Sequence, residues 1–476
     1  MLLLASLLTP LLGGVLLAAL PLKQRRTLHL LTLTVTLLTS ALTAVLFLRP
    51  PAGEETVLLH FPAPFTLAVA ADGRGRVFGL LLAFLWPLAV LYATEYMRHE
   101  TREKAFFAWY TLSYAPALGA ALAANLFSLY FFFELLTLST LPLVTHKRDV
   151  PSIRAGRKYL LYSLSGATLA FCALSLLARE GIGLSFRPGG AAPAEGTDLT
   201  LLRGAFAAAF LGFAVKAAIF PLHAWLPAAS AAPTPVTALL HAVAVVNCGA
   251  FACIRLIYDA CGPSWLFGSW AQTLVLSLSA LTVVFGAVMA VREKHLKRRL
   301  AWSTVSNLSY MLAGAALMTS AGLRGALLHM LAHGLTKITL FYCAGAVLIR
   351  SGREYVSELR GLRRAMPATF AAFTLAALSL LGVPPLAGFL SKWNLLQAAA
   401  ESGIPMGFAV MAALILSTVL TAFYALSVPV TAAFLPEEAH PFPPERLDPS
   451  WRITVPLLIL CLAVIALGVS GSPLTI

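Results

Sequence analysis

The chain has 476 residues, of which 59% are apolar and only 11% are charged, and its mean hydropathy is +0.83. Such a composition cannot cover a folded domain with a water-facing surface, so it excludes a soluble protein and indicates a helical membrane protein. The formal net charge of +14 does not indicate a nucleic-acid partner, because the basic residues lie in short loops between apolar runs.

Apolar runs of about 20 residues predict membrane-spanning helices, because lipid offers no partner to backbone polar groups. The sequence contains about fourteen such runs, and residues 1–476 form one polytopic membrane domain. In chain order the predicted spans are 2–20, 28–48, 77–95, 107–123, 126–144, 159–178, 201–220, 235–257, 268–291, 301–319, 325–349, 367–395, 407–434 and 453–470. The first has no basic residue before it, so we expect a retained helix and not a signal peptide. The connections 49–76 and 181–200 are expected to be external loops.

The distribution of basic residues predicts how these spans are oriented. With the N-terminus outside, 23 of the 34 lysines and arginines fall on the cytoplasmic side and 8 on the external side. Cytoplasmic loops of membrane proteins carry the excess of basic residues. We therefore expect a multi-pass protein of the cell inner (cytoplasmic) membrane with both termini on the external, periplasmic side.

Only one acidic residue lies deep in a span, Glu134 within 126–144, and only three lysines do. A charge near the bilayer centre is costly, so such residues usually face a bundle interior or water and mark an ion path. The first lysine, Lys216, precedes Pro221 and Pro227, which interrupt its span. Burial disfavours the charged form of lysine and a nearby carboxylate favours it. A Glu134–Lys216 pair could therefore gate proton uptake, or it could be a static pair that fixes helix register.

Three histidines and a second lysine extend this series. His241 lies one span beyond the first break. On a later helix His329, His333 and Lys337 recur at i, i+4 and i+8, hence on one face. Imidazole titrates near neutral pH and can pass a proton. The alternatives are hydrogen-bonded core histidines or a metal shared by His329 and His333, which would lack a third ligand nearby in sequence. We predict a relay and no metal site.

The third lysine, Lys392, follows Pro384 and Pro385, which break a second span. The two broken spans, the seventh and the twelfth, are five spans apart, and an odd offset inverts one repeat relative to the other. This pattern predicts an all-α fold with two inverted five-helix repeats, over residues 107–257 and 268–434, and with sites at the breaks.

No motif for nucleotides, haem, iron–sulfur clusters or zinc catalysis is present. The six cysteines lie in or beside apolar spans without a C-x-x-C pair, so we interpret them as packing residues. We therefore predict neither a catalytic site nor a cofactor in this chain. Any redox reaction that drives the protein would take place in other subunits.

Five sequence stretches surround the residues named above and cover the central two-thirds of the chain. They are FFFELLTLST, FAVKAAIFPLHAWLPAASAAPTPVTALLHA, RRLAWSTVSNLSYM, LLHMLAHGLTKITLFYCAGA and LGVPPLAGFLSKW. Together they resemble the antiporter-like, proton-conducting subunits of respiratory complex I, membrane-bound hydrogenases and Mrp-type cation/proton antiporters.

The resemblance implies a fourteen-helix fold with a central polar axis inside a multi-subunit membrane complex. It also implies roles for the site residues: the input pair Glu134 and Lys216, the relay histidine His241, the second-repeat group His333 and Lys337 with His329 beside it, and the output lysine Lys392. Asn247 is a departure, because several relatives carry an ionisable residue there. The chain ends without the long amphipathic arm of L-type complex I subunits, and residues 72–110 most resemble Mrp D-type and hydrogenase-type members.

Three functions remain open. The first is a proton-translocating subunit of a redox-driven complex, such as an NADH-quinone oxidoreductase or a hydrogenase. The second is a subunit of a Mrp-type Na⁺/H⁺ antiporter. The third is a scaffold without transport, in which buried charges only hold helices together; such a scaffold would gain nothing from two proline-broken helices bearing lysines. The sequence argues against the third and hardly separates the first two, of which we put the redox-driven complex first; it leaves the coupling ion, stoichiometry, direction and electron donor open.

Overall fold

Helices form most of the chain in the computed structural model, which describes residues 1–48, 55–434 and 447–470. The predicted external C-terminus, residues 471–476, lies outside this range. The first three helices are α1 (Leu2–Ala19), α2 (Arg25–Leu48) and α3 (Gly73–Tyr96).

A β-hairpin lies between α2 and α3 in the chain. Its antiparallel strands are β1 (Thr56–His60) and β2 (Thr66–Val69). The sequence predicted only a loop over 49–76, and residues 49–54 of it lie outside the described range. The sequence of β1, T-V-L-L-H, is a short apolar run in which apolar and polar residues do not clearly alternate. The sequence therefore could not distinguish a strand from a loop there.

Eight helices occupy the chain between residues 103 and 261. They are α4 (Glu103–Leu112), α5 (Tyr114–Ala121), α6 (Leu126–Val144), α7 (Val150–Arg179), α8 (Leu199–Ala214), α9 (Trp225–Ala229), α10 (Thr234–Ala238) and α11 (Val245–Arg255). Two π-helical segments, Leu239–Val243 and Leu256–Cys261, make the run from Thr234 to Cys261 nearly continuous.

Nine helices follow in the second half of the chain. They are α12 (Pro263–Leu266), α13 (Trp270–Arg292), α14 (Leu296–Ala316), α15 (Ser320–Ser351), α16 (Leu362–Ala365), α17 (Pro367–Leu381), α18 (Ala387–Ala400), α19 (Pro405–Phe434) and α20 (Trp451–Ser470). Short 3₁₀ turns cover Met97–His99 and Val356–Leu359.

Among the described residues, ten helical segments are long and apolar enough to cross a membrane. The other predicted spans fall on shorter, interrupted or more polar helices, namely α4 with α5, α8, α14, and α17 with α18. The predicted span 107–123 is not one helix but two, which meet at Ser113. Pro116 explains the interruption, because it has no N–H to donate to the carbonyl of Leu112.

Polar side chains at the first turn fix where several helices begin. Asn125 accepts a hydrogen bond from the N–H of Ser128 at 2.7 Å at the start of α6. Thr319 accepts one from the N–H of Gly322 at 3.0 Å at the start of α15. Each satisfies a backbone donor that the first helical turn leaves without a partner, which is why such residues mark helix starts in the sequence.

The two most enclosed helical segments run through the middle of the molecule. The Thr234–Cys261 run is entirely buried, and α15 is buried over most of its length. α15 packs against α3, α10, α14, α17, α18 and α20. These two segments carry all three histidines of the predicted relay, so the fold places those side chains away from the lipid-facing surface.

Candidate functional site

The first break in a membrane helix lies between α8 and α9. Residues 215–224 run there as successive turns that include Pro221, and Pro227 lies within the short α9. Proline has no N–H with which to continue the helical hydrogen bonds. The indole Nε1 of Trp225 donates to the carbonyl of Val215 at 2.8 Å. A side chain therefore satisfies one of the carbonyls that the break releases.

Lys216 lies in this break with its side chain fully buried, and its amine faces Glu134 on α6. Nζ of Lys216 and Oε1 of Glu134 are 3.4 Å apart. The same amine donates to the carbonyl of Phe133 and lies 3.4 Å from the centroid of the Phe133 ring. A buried ammonium without partners is costly, so these three contacts together stabilise the charge. Glu134 keeps 17% of its side-chain surface exposed, which places the pair at the edge of the interior.

A glycine brings the next long helix against this break. At Gly249 on α11, an added Cβ would lie 2.6 Å from the backbone nitrogen of Ala217 and 2.9 Å from Cβ of Lys216. Only a residue without a side chain allows two backbones to approach so closely. The break, α6 and α11 therefore meet at Lys216.

His241 lies at the centre of the π-helical segment Leu239–Val243. Its side chain is fully buried, and neither ring nitrogen makes a hydrogen bond of normal geometry with the described residues. The side-chain amide of Asn247 donates to the carbonyl of Ala242 at 2.8 Å. Asn247, the predicted departure from the family pattern, thus supports the irregular backbone next to His241 and does not carry a charge of its own.

His333 and His329 lie one turn apart on α15, with ring centroids 6.3 Å apart. Nε2 of His333 is 3.2 Å from the carbonyl oxygen of His241, so this nitrogen carries a proton and donates it. Nδ1 of His333 and Nε2 of His329 make no hydrogen bond of normal geometry within the described part of the chain. No group of three or more histidine, cysteine or carboxylate side chains among the described residues is arranged to hold a metal ion.

The second break lies between α17 and α18 and contains Pro384 and Pro385. Lys392 lies on α18, and its amine turns back toward the break, 3.4 Å from the carbonyl oxygen of Leu381. The amine is also 3.3 Å from Oγ1 of Thr418 on α19. Lys392 therefore donates to a carbonyl at the residue where α17 ends.

Hydroxyl groups and an aromatic ring connect Lys392 to the histidines of α15. Nδ1 of His329 is 3.0 Å from Oγ of Ser391, the chain neighbour of Lys392. The ring of Tyr310 on α14 stacks on His329 at a centroid distance of 5.2 Å, and its hydroxyl is 3.3 Å from Oγ1 of Thr418. These contacts make His329 and Lys392 members of one polar cluster.

Lys337 lies one turn beyond His333 on α15 and faces α14. Its fully buried amine donates to Oγ of Ser303 and is 3.4 Å from the carbonyl oxygen of Leu300. It forms no ion pair with any described residue. Neutral acceptors alone therefore stabilise its charged form, as they do for Lys392.

The structure brings the predicted residues together in two groups. The first group is Glu134 with Lys216, and the second is His241, His329, His333 and Lys392, with Lys337 at its side. No hydrogen bond among the described residues joins the two groups. Gly249, which touches Lys216, lies eight residues after His241 in the same helical run, a distance of about 12 Å along the helix axis.

Sequence inspection did not single out four hydroxyl side chains that complete the second group, namely Ser303, Tyr310, Ser391 and Thr418. The first two lie within RRLAWSTVSNLSYM, where the repeated serine, threonine, asparagine and tyrosine residues in a membrane helix were the available signal. Ser391 adjoins a predicted site residue. Thr418 lies in an otherwise apolar run, and no pattern in the sequence distinguishes it.

Comparison with known proteins shows that this arrangement has relatives. The family model described as NADH:quinone oxidoreductase/Mrp antiporter, TM, matches residues 123–437. NADH-quinone oxidoreductase subunit N of Desulforudis audaxviator (strain MP104C) is 34% identical over 434 residues, which cover 86% of this chain and 83% of that protein. Hydrogenase-4 component B of Escherichia coli (strain K12) is 33% identical over 71% of this chain and 52% of its own length.

Two solved structures share the fold. A chain of the membrane-bound sulfane sulfur reductase, an archaeal respiratory membrane complex, has a TM-score of 0.85 at 24% identity and covers 99% of this chain and 95% of that chain. A chain of the Mrp complex from Dietzia sp. DQ12-45-1b has a TM-score of 0.85 at 25% identity and covers 99% and 50%, respectively. The present chain thus spans about half the length of the Mrp chain and of the hydrogenase component.

Proposed function

Because this chain belongs to the NADH:quinone oxidoreductase/Mrp antiporter membrane family, we propose that it is a proton-translocating subunit of a multi-subunit membrane complex. Relatives are named as a subunit of an oxidoreductase and as chains of larger membrane complexes, so other membrane subunits are the expected partners. In this proposal the chain crosses the cell inner membrane fourteen times with both termini outside. Electron transfer takes place in the partner subunits.

The observation that carries the proposal is the buried Lys216, held in a helix break 3.4 Å from Glu134. While the carboxylate lies beside the amine, the protonated form of lysine is favoured. When the two side chains separate, burial acts alone and favours the neutral amine. Formation and separation of the pair would therefore load and release a proton at Lys216.

The second group offers a series of further proton carriers. An imidazole accepts a proton at one nitrogen and gives one up from the other. His241, His333 and His329 each have at least one ring nitrogen without a hydrogen bond to the described residues, so each is able to accept. Ser391, beside Lys392, links His329 to the second break. Water would carry the proton over the roughly 12 Å of helix between Lys216 and His241.

We also propose that residues 107–257 and 268–434 are inverted repeats. In each range the fourth of the five predicted spans is interrupted by proline, between α8 and α9 in the first and between α17 and α18 in the second. Each interruption has a lysine amine at a backbone carbonyl near it. An inverted pair of broken helices is the arrangement in which many transporters bind ions near the middle of the membrane.

A redox-driven complex is the preferred setting. The oxidoreductase subunit N is 34% identical and is matched over 83% of its own length, whereas the Mrp chain is 25% identical and is matched over 50%. The second candidate is a Mrp-type Na⁺/H⁺ antiporter subunit, because the Mrp chain shares the fold with the same TM-score of 0.85 as the sulfane sulfur reductase chain. A sodium requirement for proton flux would support the second candidate over the first.

The proposal predicts that Lys216→Met and Glu134→Gln each stop coupled proton movement while the complex still assembles. Either change removes a proton carrier or the charge that loads it, so we expect proton flux to fall about a hundredfold. Flux is measured with a pH-sensitive dye in vesicles that contain the purified complex, with and without Na⁺.

Matched controls are Lys294→Met and Glu195→Gln, which change exposed residues of the same types. Both should retain wild-type flux. Wild-type flux in an assembled Lys216→Met complex would show that the Glu134–Lys216 pair only fixes helix register, and the scaffold interpretation would then replace the relay.

A further inference from the structure

A cavity of about 510 Å³ lies at one end of the bundle, between α2 and α20. Both helices pack against α3, which forms the floor of the groove between them. Ten residues line the cavity, and none of them belongs to the proton-relay groups. All of its arginines are among the basic residues that the predicted orientation of the spans places on the cytoplasmic side.

Four arginines surround the mouth of this cavity: Arg25, Arg26, Arg98 and Arg452. Arg25 is 3.1 Å from Glu103, and Arg98 is 3.4 Å from Glu95. Within the described residues Arg26 forms no ion pair, and Nη1 of Arg452 is buried without a hydrogen-bond partner. Four guanidinium groups against two carboxylates leave a surplus of two positive charges. Nη1 of Arg452 thus lacks an acceptor among the described residues, and an anion in the cavity would supply one.

The apolar part of the cavity lies deeper along the same helices. Leu30 and Leu33 follow Arg26 by one and two helical turns on α2, and Leu91 precedes Arg98 by two turns on α3. Trp451 lies at the mouth with 61% of its surface exposed, as tryptophan commonly does at a membrane interface. The arginines at the membrane edge match the charged head group of a phospholipid, and the leucines about 10 Å deeper match its acyl chains.

We propose that this groove binds an anionic phospholipid, with its phosphate on Arg26 and Arg452 and its acyl chains along Leu30, Leu33 and Leu91. Basic pockets between membrane helices on the cytoplasmic side recognise such head groups. A free phosphate ion would use the arginines and leave the leucines without a function. The lipid fills the groove between α2 and α20, above α3.

The test is lipid retention by the purified native complex. Three complexes are extracted in mild detergent: wild type, the pocket variant Arg26→Gln/Arg452→Gln and the control Arg154→Gln/Arg157→Gln. The control changes two exposed arginines at the start of α7, on the same predicted side of the membrane. Native mass spectrometry then measures how much phosphatidylglycerol remains bound, and the affinity of the complex for phosphatidylglycerol that is added afterwards. Each arginine is expected to contribute about fivefold to phosphatidylglycerol affinity, so the pocket variant should bind this lipid about 25-fold more weakly than wild type. The control should bind it as wild type does.

Two competitors separate the sources of the phosphate. Neither phosphatidylcholine, which lacks a net negative charge, nor inorganic phosphate should displace phosphatidylglycerol from the wild-type complex. Equal retention by the pocket variant and wild type would overturn the proposal. So would displacement by inorganic phosphate at similar concentration, or a wild-type complex that carries no lipid. These outcomes do not depend on proton flux, so the lipid site is tested apart from the relay.

Discussion

Lys392 keeps its amine at the second break through two acceptors, the carbonyl of Leu381 and the hydroxyl of Thr418. Its side chain is buried, and no carboxylate among the described residues pairs with it. A lysine in this state depends on each neutral acceptor, because a buried charge that loses one is not compensated by solvent. The hydroxyl of Thr418 also contacts Tyr310, so one small side chain serves both the lysine and the ring that stacks on His329.

Thr418→Val should therefore affect both stability and transport. Valine keeps the shape of threonine but removes the acceptor for Nζ of Lys392. We expect the free energy of unfolding to fall by about 1–3 kcal/mol and proton flux to fall with it, as measured by denaturation in detergent and by dye quenching in vesicles. Thr418→Ser keeps the hydroxyl and should retain most of the flux. Equal behaviour of the two variants would show that Thr418 only packs.

At the residue scale, the sequence identified the charged groups but not their hydroxyl partners. Glu134 and Lys216 could be predicted because a charge inside an apolar run is rare and costly. Thr418 and Ser303 could not, because their hydroxyls also bond back to their own helices, to the carbonyls of Leu414 and Leu300, as hydroxyls in helices commonly do. Which of these hydroxyls also contact a neighbouring helix depends on packing that a single sequence does not contain.

At the scale of the element, prolines allowed the two broken helices to be predicted, whereas nothing in the sequence indicated the π-helical segment. Pro221 and Pro384 remove backbone donors, and that effect can be recognised from residue type alone. The segment Leu239–Val243 contains neither proline nor glycine. Its irregular hydrogen bonding depends on the amide of Asn247, which lies one turn beyond it and acts only once the helix has formed.

Gly249→Ala should separate α11 from the first break. The added methyl group would meet the backbone of Ala217 and Cβ of Lys216, and backbone cannot move aside as a flexible side chain can. We expect a loss of about 1–3 kcal/mol in the free energy of unfolding, together with reduced proton flux, because Lys216 would be displaced from Glu134.

The matched control is Gly204→Ala on α8, where an added Cβ meets nothing within 4 Å. Alanine favours a helix over glycine by roughly 0.5–1 kcal/mol, so this variant should be as stable as wild type or slightly more stable, with unchanged flux. If Gly249→Ala matched Gly204→Ala in both measurements, the close approach at Lys216 would not matter for the site.

At the scale of the whole molecule, two buried segments carry the three histidines and Lys337 through the centre of the bundle. Composition and the spacing of apolar runs were enough to predict a helical membrane protein, because the bilayer permits few alternatives. They were not enough to identify the partner subunits or the energy source. An apolar helix face looks the same in sequence whether it contacts lipid or another membrane subunit, so the assembly has to be found by experiment.

We propose that the two groups form a single path, because Gly249, which meets Lys216, lies about 12 Å from His241 along one helical run. His241 is the member of the second group that shares this helical run with Gly249, and among the described residues it does not contact Lys216 or Glu134. A serial relay therefore predicts that His241→Leu lowers proton flux about a hundredfold in a complex that still assembles and keeps the Glu134–Lys216 pair intact.

The most direct measurement is proton flux in vesicles containing the His241→Leu complex, beside the exposed-histidine control His99→Leu. We expect flux to be lost in the first variant and unchanged in the second, and we expect no further loss when Lys216→Met is added to His241→Leu. Wild-type flux through an assembled His241→Leu complex would contradict a single path.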